Sequence, residues 1–171
     1  MQPASELLGV PVGSDEPAFL LALGAHIASG ITCVIAGATA ALARKAPGIH
    51  PRAGLVYYTS VVWIFLSAVV MAVLRWPHDV HLLLVGVVAL ASSSAGVAIR
   101  WKARRGWQRR HIIMMGTSFI AVLTGFYVDN GPHLPLWRHL PEWTFWILPA
   151  LPGTLLVVRS VRRACQTTGY G

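Results

Sequence analysis

The chain has 171 residues, 55% of them hydrophobic and only 12% charged, with a mean hydropathy of +0.60. Soluble domains carry about a quarter charged residues, so this composition excludes that class and points to an integral membrane protein. The net charge of +8 would suit nucleic acid, but the placement of the charges argues against it. Cys33 and Cys165 lie in an apolar run and a basic tail. No disulfide framework, C-x-x-C pair or C-x-x-C-H haem-attachment box is expected from them.

The first residues, MQPASELLGVPVGSDEP, lack a basic stretch and an early apolar core. They do not read as a cleaved signal peptide, so the first span is expected to direct insertion. That span runs over 18–43, AFLLALGAHIASGITCVIAGATAALA. Further apolar runs cover 55–74, 81–99, 112–128 and 143–158. A helix crosses the hydrocarbon with about 20 residues, which the first four runs supply. The fifth is short and carries Pro149 and Pro152, which predicts a kink. The loop before it, DNGPHLPLWRHLPE, is expected to be ordered but irregular, with its tryptophan at headgroup level. No internal repeat or long linker is evident. The expected fold is all-α, a single domain over 1–171 built as a bundle of five transmembrane helices.

Charge segregates sharply along this pattern. Arg44, Lys45 and Arg52 follow the first run; Arg100, Lys102, Arg104, Arg105, Arg109 and Arg110 follow the third; Arg159, Arg162 and Arg163 follow the fifth. Thus 12 of 14 basic residues share one side. All six acids, Glu6, Asp15, Glu16, Asp79, Asp129 and Glu142, fall on the other, with Arg75 and Arg138. Short loops obey the positive-inside rule, which puts the N-terminus outside and the C-terminus in the cytoplasm. Only an odd number of spans keeps the alternation. The lipid bilayer is the expected partner, with anionic lipid at the basic cytoplasmic loop. Nucleic acid is not expected, since no aromatics are interleaved to stack on bases.

The seven histidines sort by this topology. His50 and His111 open the second and fourth runs on the cytoplasmic side. His26 lies inside the first run, about a third of the way from the outside. His78 and His81 flank the outer start of the third, and His133 and His139 lie in the last outer loop. His26, Gly30, Cys33, Gly37 and Ala41 share one helical face. Such a column serves close helix packing or leaves room for a flat cofactor. His111, Met115, Ser118, Val122, Gly125 and Asp129 form a second face. An ionisable residue inside a span marks function by default. If the second and fourth spans are neighbours, His50 and His111 would supply two imidazoles for haem iron or for zinc or copper. His26 with His81, or with His78, would form a second site on the outer side, an arrangement suited to transmembrane electron transfer.

Other signals point to structure. The serines Ser92, Ser93 and Ser94 are expected to bond their own backbone or to tie helices together, not to mark a nucleophile. Tyr57, Tyr58 and Trp63 are expected to face lipid or the interface, and Asp129 to pair with Arg138. There is no Ser-His-Asp order, phosphate loop or H-E-x-x-H, so hydrolysis and nucleotide-driven pumping are poorly supported.

The elements HIASG, HPRAGLVYY and RRHIIMMGTSFIAVLTGFYVDNGPHLPLW resemble a family of predicted bacterial multi-pass membrane proteins known as a domain of unknown function (number twenty-three-oh-six). The matching positions are His26, His50 with Gly54 and Tyr58, and His111 with Met115 and Ser118, over roughly residues 18 to 158. The resemblance implies the multi-pass fold, a bacterial inner membrane and this choice of histidines, but no activity. The layout is also similar in outline to ascorbate-reducible b-type cytochromes, by analogy alone. The expectation is a small b-type-haem or metal-dependent redox protein with His26, His50, His81 and His111 as ligands, His50 and His111 also suiting a metal. The alternative is a cofactor-free transporter, or an accessory or purely structural membrane subunit. Whether the chain is an enzyme stays open.

Overall fold

The computed structural model describes residues 6–7, 10–11, 14, 16–76, 80–135, 137 and 139–167. Among the described residues the regular structure is helical apart from one short antiparallel pair, Glu6–Leu7 with Val10–Pro11. Five helices are long and apolar enough to cross a membrane. They are α1 (Pro17–Leu42), α2 (Ile49–Leu74), α3 (Val80–Lys102), α4 (Trp107–Asn130) and a fifth divided into α5 (Trp143–Ile147) and α6 (Ala150–Thr167). A single 3-10 turn, Gly131–His133, follows α4.

Prolines punctuate these helices where a missing N–H costs nothing. Pro17 opens α1, Pro51 is in the first turn of α2 and Pro152 in that of α6. Pro149 instead sits in the gap between α5 and α6, where its ring blocks an unbroken helix. The kink expected in the fifth span is therefore a break at Leu148 and Pro149.

The packing is the reverse of a soluble protein's. Large apolar side chains are exposed, such as Leu21 at 76%, Val73 at 70% and Leu155 at 65%. Leaving such a side chain in water rather than burying it costs about 1.5–3 kcal/mol, which lipid removes. The buried positions are mostly small or hydroxylated: Cys33, Ala36, Ser60, Ser67, Ala72, Ala89, Ser93, Ser118 and Ala121. Membrane helices pack through residues of this kind, because lipid gives apolar side chains no reason to leave it.

Contacts group the chain into two compact units, Met1–Leu84 and Val85–Gly171. In the first, α1 packs along α2. In the second, α4 packs on α5 and α6. Its seam depends on glycine: a Cβ on Gly116 would collide with Val157, and one on Gly153 would stand 2.5 Å from Ile120. The segment after α4 folds back on that helix, with the Trp137 ring edge-on to Tyr127 at 5.6 Å.

Candidate functional site

The first unit places two of the expected ligands at different depths of one helix pair. His50 is the second residue of α2. Its Nδ1 lies 2.8 Å from the Ala40 carbonyl, near the end of α1, where carbonyls lack helical donors. The Lys45 ammonium donates to the same oxygen at 2.7 Å and to Ala41 at 2.8 Å, so the two side chains cap α1 together. Partial burial lowers the Lys45 pKa below its ordinary value. His26 lies 14 residues before Ala40 on α1, about 21 Å at 1.5 Å per residue. Its Nδ1 is 3.0 Å from the Ser67 hydroxyl of α2. His26 and His50 therefore belong to different sites. His81 is exposed at the second position of α3. His78 and Arg138 lie outside the described residues, and with Arg138 the expected partner of Asp129.

In the second unit, His111 is the fifth residue of α4, and its Nδ1 lies 2.8 Å from the Gly96 carbonyl of α3. Gly96 permits this approach, because a Cβ there would stand 2.6 Å from the Met115 sulfur. The Trp107 ring meets His111 edge-on at 6.0 Å. One turn beyond Met115, Ser118 donates to the Ala89 carbonyl at 2.8 Å. Much of the second helical face of the sequence reading, His111, Met115 and Ser118, is therefore a packed seam with α3.

The carbonyl bonds fix two of the histidine protons. A carbonyl has no proton to give, so Nδ1 must be the donor in His50 and in His111. A neutral ring protonated on Nδ1 carries its lone pair on Nε2, so His50 and His111 share one tautomer. The Ser67 hydroxyl reaches the Trp63 and Ile64 carbonyls, at 2.8 and 2.9 Å, as well as His26 Nδ1, and can donate to any of the three. Sequence reasoning missed Ser67 and the two backbone carbonyls that these rings meet.

The space around His26 is mixed. Below it, Cys33 is fully buried, whereas a Cβ on Gly30 would meet nothing within 4 Å. An open groove of about 310 Å3 between α1 and α2 is lined by Ser29, Thr32, Thr59 and Trp63, among others. The hydroxyls of Ser29, Thr32 and Thr59 all donate to their own helices, so the groove offers few donors. Ser93 likewise bonds the Leu90 carbonyl, as expected for the serine run. Trp63 is exposed as expected, but Tyr57 is buried at 2%. The expectation of a lipid-facing Tyr57 is corrected: its ring belongs to the core. Among the described residues, no three His, Cys, Asp or Glu side chains converge as a metal-binding group. Neither a family model, nor a curated protein, nor a solved structure matches the chain.

Proposed function

We propose that the chain is a small redox protein of the bacterial inner membrane, holding b-type haem or a metal ion through histidine Nε2 atoms. His50 and His111 would ligate on the cytoplasmic side, and His26 with His81 on the outer side. One observation supports this above others: His50 and His111 each commit Nδ1–H to a fixed backbone oxygen, and His26 Nδ1 is tied to the Ser67 hydroxyl. Metal-binding histidines almost always do this, because the second bond orients the ring and makes Nε2 more basic. Bound there, haem or metal would supply one-electron chemistry. The work of the chain would be to hold the imidazoles in place and aim them through their Nδ1 partners.

The orientation belongs to the same proposal: N-terminus outside and basic loops in the cytoplasm, from the 12-to-2 division of basic residues. A reporter fused after Gly171 is expected to be active only in its cytoplasmic form; periplasmic activity there would overturn this orientation.

A second reading has its own observation. The same Nδ1–H bonds tie neighbouring helices, and the Met115 and Ser118 face is packed against α3, as a cofactor-free transporter or accessory subunit would require. The visible spectrum of detergent-purified protein, with elemental analysis, separates the two. The redox reading expects a Soret band with α and β bands that sharpen on reduction, or a stoichiometric metal. Colourless, metal-free protein at full yield, still colourless after incubation with haem, would leave only the second reading.

A further inference from the structure

The basic loop forms a cleft as well as a topology signal. Where α3 ends and α4 begins, Ile99, Lys102, Arg104, Trp107 and Arg110 line a cavity of about 140 Å3. Two of its walls are apolar, Ile99 and the Trp107 ring. The ring is held between His111, edge-on at 6.0 Å, and the Arg100 guanidinium, 5.8 Å above its centroid. The other three lining residues, Lys102, Arg104 and Arg110, are exposed and wall the cleft with their alkyl stems, so the cavity itself is apolar and the charges belong to its rim.

Along the sequence this cluster has no acid close to it. No acid occurs between Asp79 and Asp129. Asp129 lies 22 residues from Trp107 along α4, about 33 Å at 1.5 Å per residue. The first turn of α4 has neither an acidic residue nor a side-chain cap, so its helix dipole adds to the positive field.

Charge and position together define the occupant. Three exposed cations around the rim of an apolar cleft suit a phosphodiester, with arginine supplying the forked donors that phosphate oxygens accept. The cleft sits at the end of two apolar helices and beside Trp101, 82% exposed, as tryptophans at the headgroup level are. An anionic headgroup reaches that level with its acyl chains still in the bilayer, against Ile99.

We propose that this cleft is a specific site for one anionic phospholipid, its phosphodiester held by Lys102, Arg104 and Arg110 over Trp107. The site is independent of any histidine ligation.

The test uses the full chain in neutral detergent, titrated with short-chain phosphatidylglycerol, short-chain phosphatidylcholine and inorganic phosphate, with occupancy read by native mass spectrometry. Phosphatidylglycerol is expected to saturate at one per chain, and phosphatidylcholine to bind at least ten-fold more weakly. The double substitution Arg104→Gln with Arg110→Gln is expected to weaken phosphatidylglycerol at least ten-fold. Arg159→Gln with Arg162→Gln removes the same charge from α6 and is expected to change it less than two-fold. These side chains are all exposed, so folding should survive, and unchanged melting in phosphatidylcholine checks that. Equal losses in the two double variants would mean diffuse attraction and overturn the site. So would inorganic phosphate binding as tightly as the lipid, or absence of a saturable lipid.

Discussion

If His111 ligates as proposed, His111→Asn is expected to yield folded protein that has lost the bound haem or metal. The asparagine amide nitrogen reaches roughly where the imidazole Nδ1 stood. It can keep the bond to the Gly96 carbonyl, but it offers nothing in place of Nε2. His111→Ala removes both functions. The lost bond costs about 0.6–1.5 kcal/mol, the lower figure being typical between membrane helices, because Gly96 lies inside α3 and its carbonyl keeps a helical donor. Both variants should therefore lose at least ten-fold in bound haem or metal per chain, while only His111→Ala melts measurably lower. Added imidazole should restore occupancy in His111→Ala, which has a ring-sized void, and not in His111→Asn. A His111→Asn protein that retains the full Soret band or metal content would end the ligand role and leave His111 as a tie between α3 and α4.

The spans were legible because hydrocarbon thickness demands long apolar runs, and the chain has them. Their ends were less so. The fourth run reads as starting at Ile112, yet α4 starts at Trp107 and takes in Arg109, Arg110 and His111. α6 likewise continues through Arg159, Arg162 and Arg163 to Thr167. Arginine is a good helix former whose long stem lets the charge reach water while the backbone stays helical, so hydropathy stops short of the helix. The burial of Tyr57 was not legible, because α2 is apolar on nearly every side and no stripe marks its inner face. The histidine partners were half legible. Motif reasoning looks for side chains, and two of the three partners are backbone carbonyls. Hairpin register would have located them: Gly96 with His111 and Ala89 with Ser118 are both centred between residues 103 and 104. His26 and Ser67 are likewise centred inside the loop between α1 and α2, between residues 46 and 47.

The largest stability effect is expected at Gly116. A Cβ there collides with Val157 Cγ2, and valine in a helix has one dominant χ1 rotamer, so Val157 cannot simply swing aside. Two terms oppose each other on substitution. Replacing glycine inside a helix gains at most about 1 kcal/mol in propensity, whereas overpacking a tight seam costs about 1–3 kcal/mol, sometimes more. With the two branched carbons of valine added, the clash wins, and Gly116→Val should destabilise the α4–α6 packing by about 2–3 kcal/mol. Val157→Ala alone should cost about 1 kcal/mol, since Val157 is only half-buried. Combined, the two should be less harmful than Gly116→Val alone, with a coupling of at least about 1 kcal/mol, well beyond the few tenths by which independent sites depart from additivity. Reversible unfolding in mixed detergent micelles measures all three variants. Strict additivity, or a neutral Gly116→Val, would mean that α4 and α6 do not meet at this glycine. In that case α6, whose amphipathic end carries Arg159, Arg162 and Arg163, is held to α4 by contacts elsewhere along the seam.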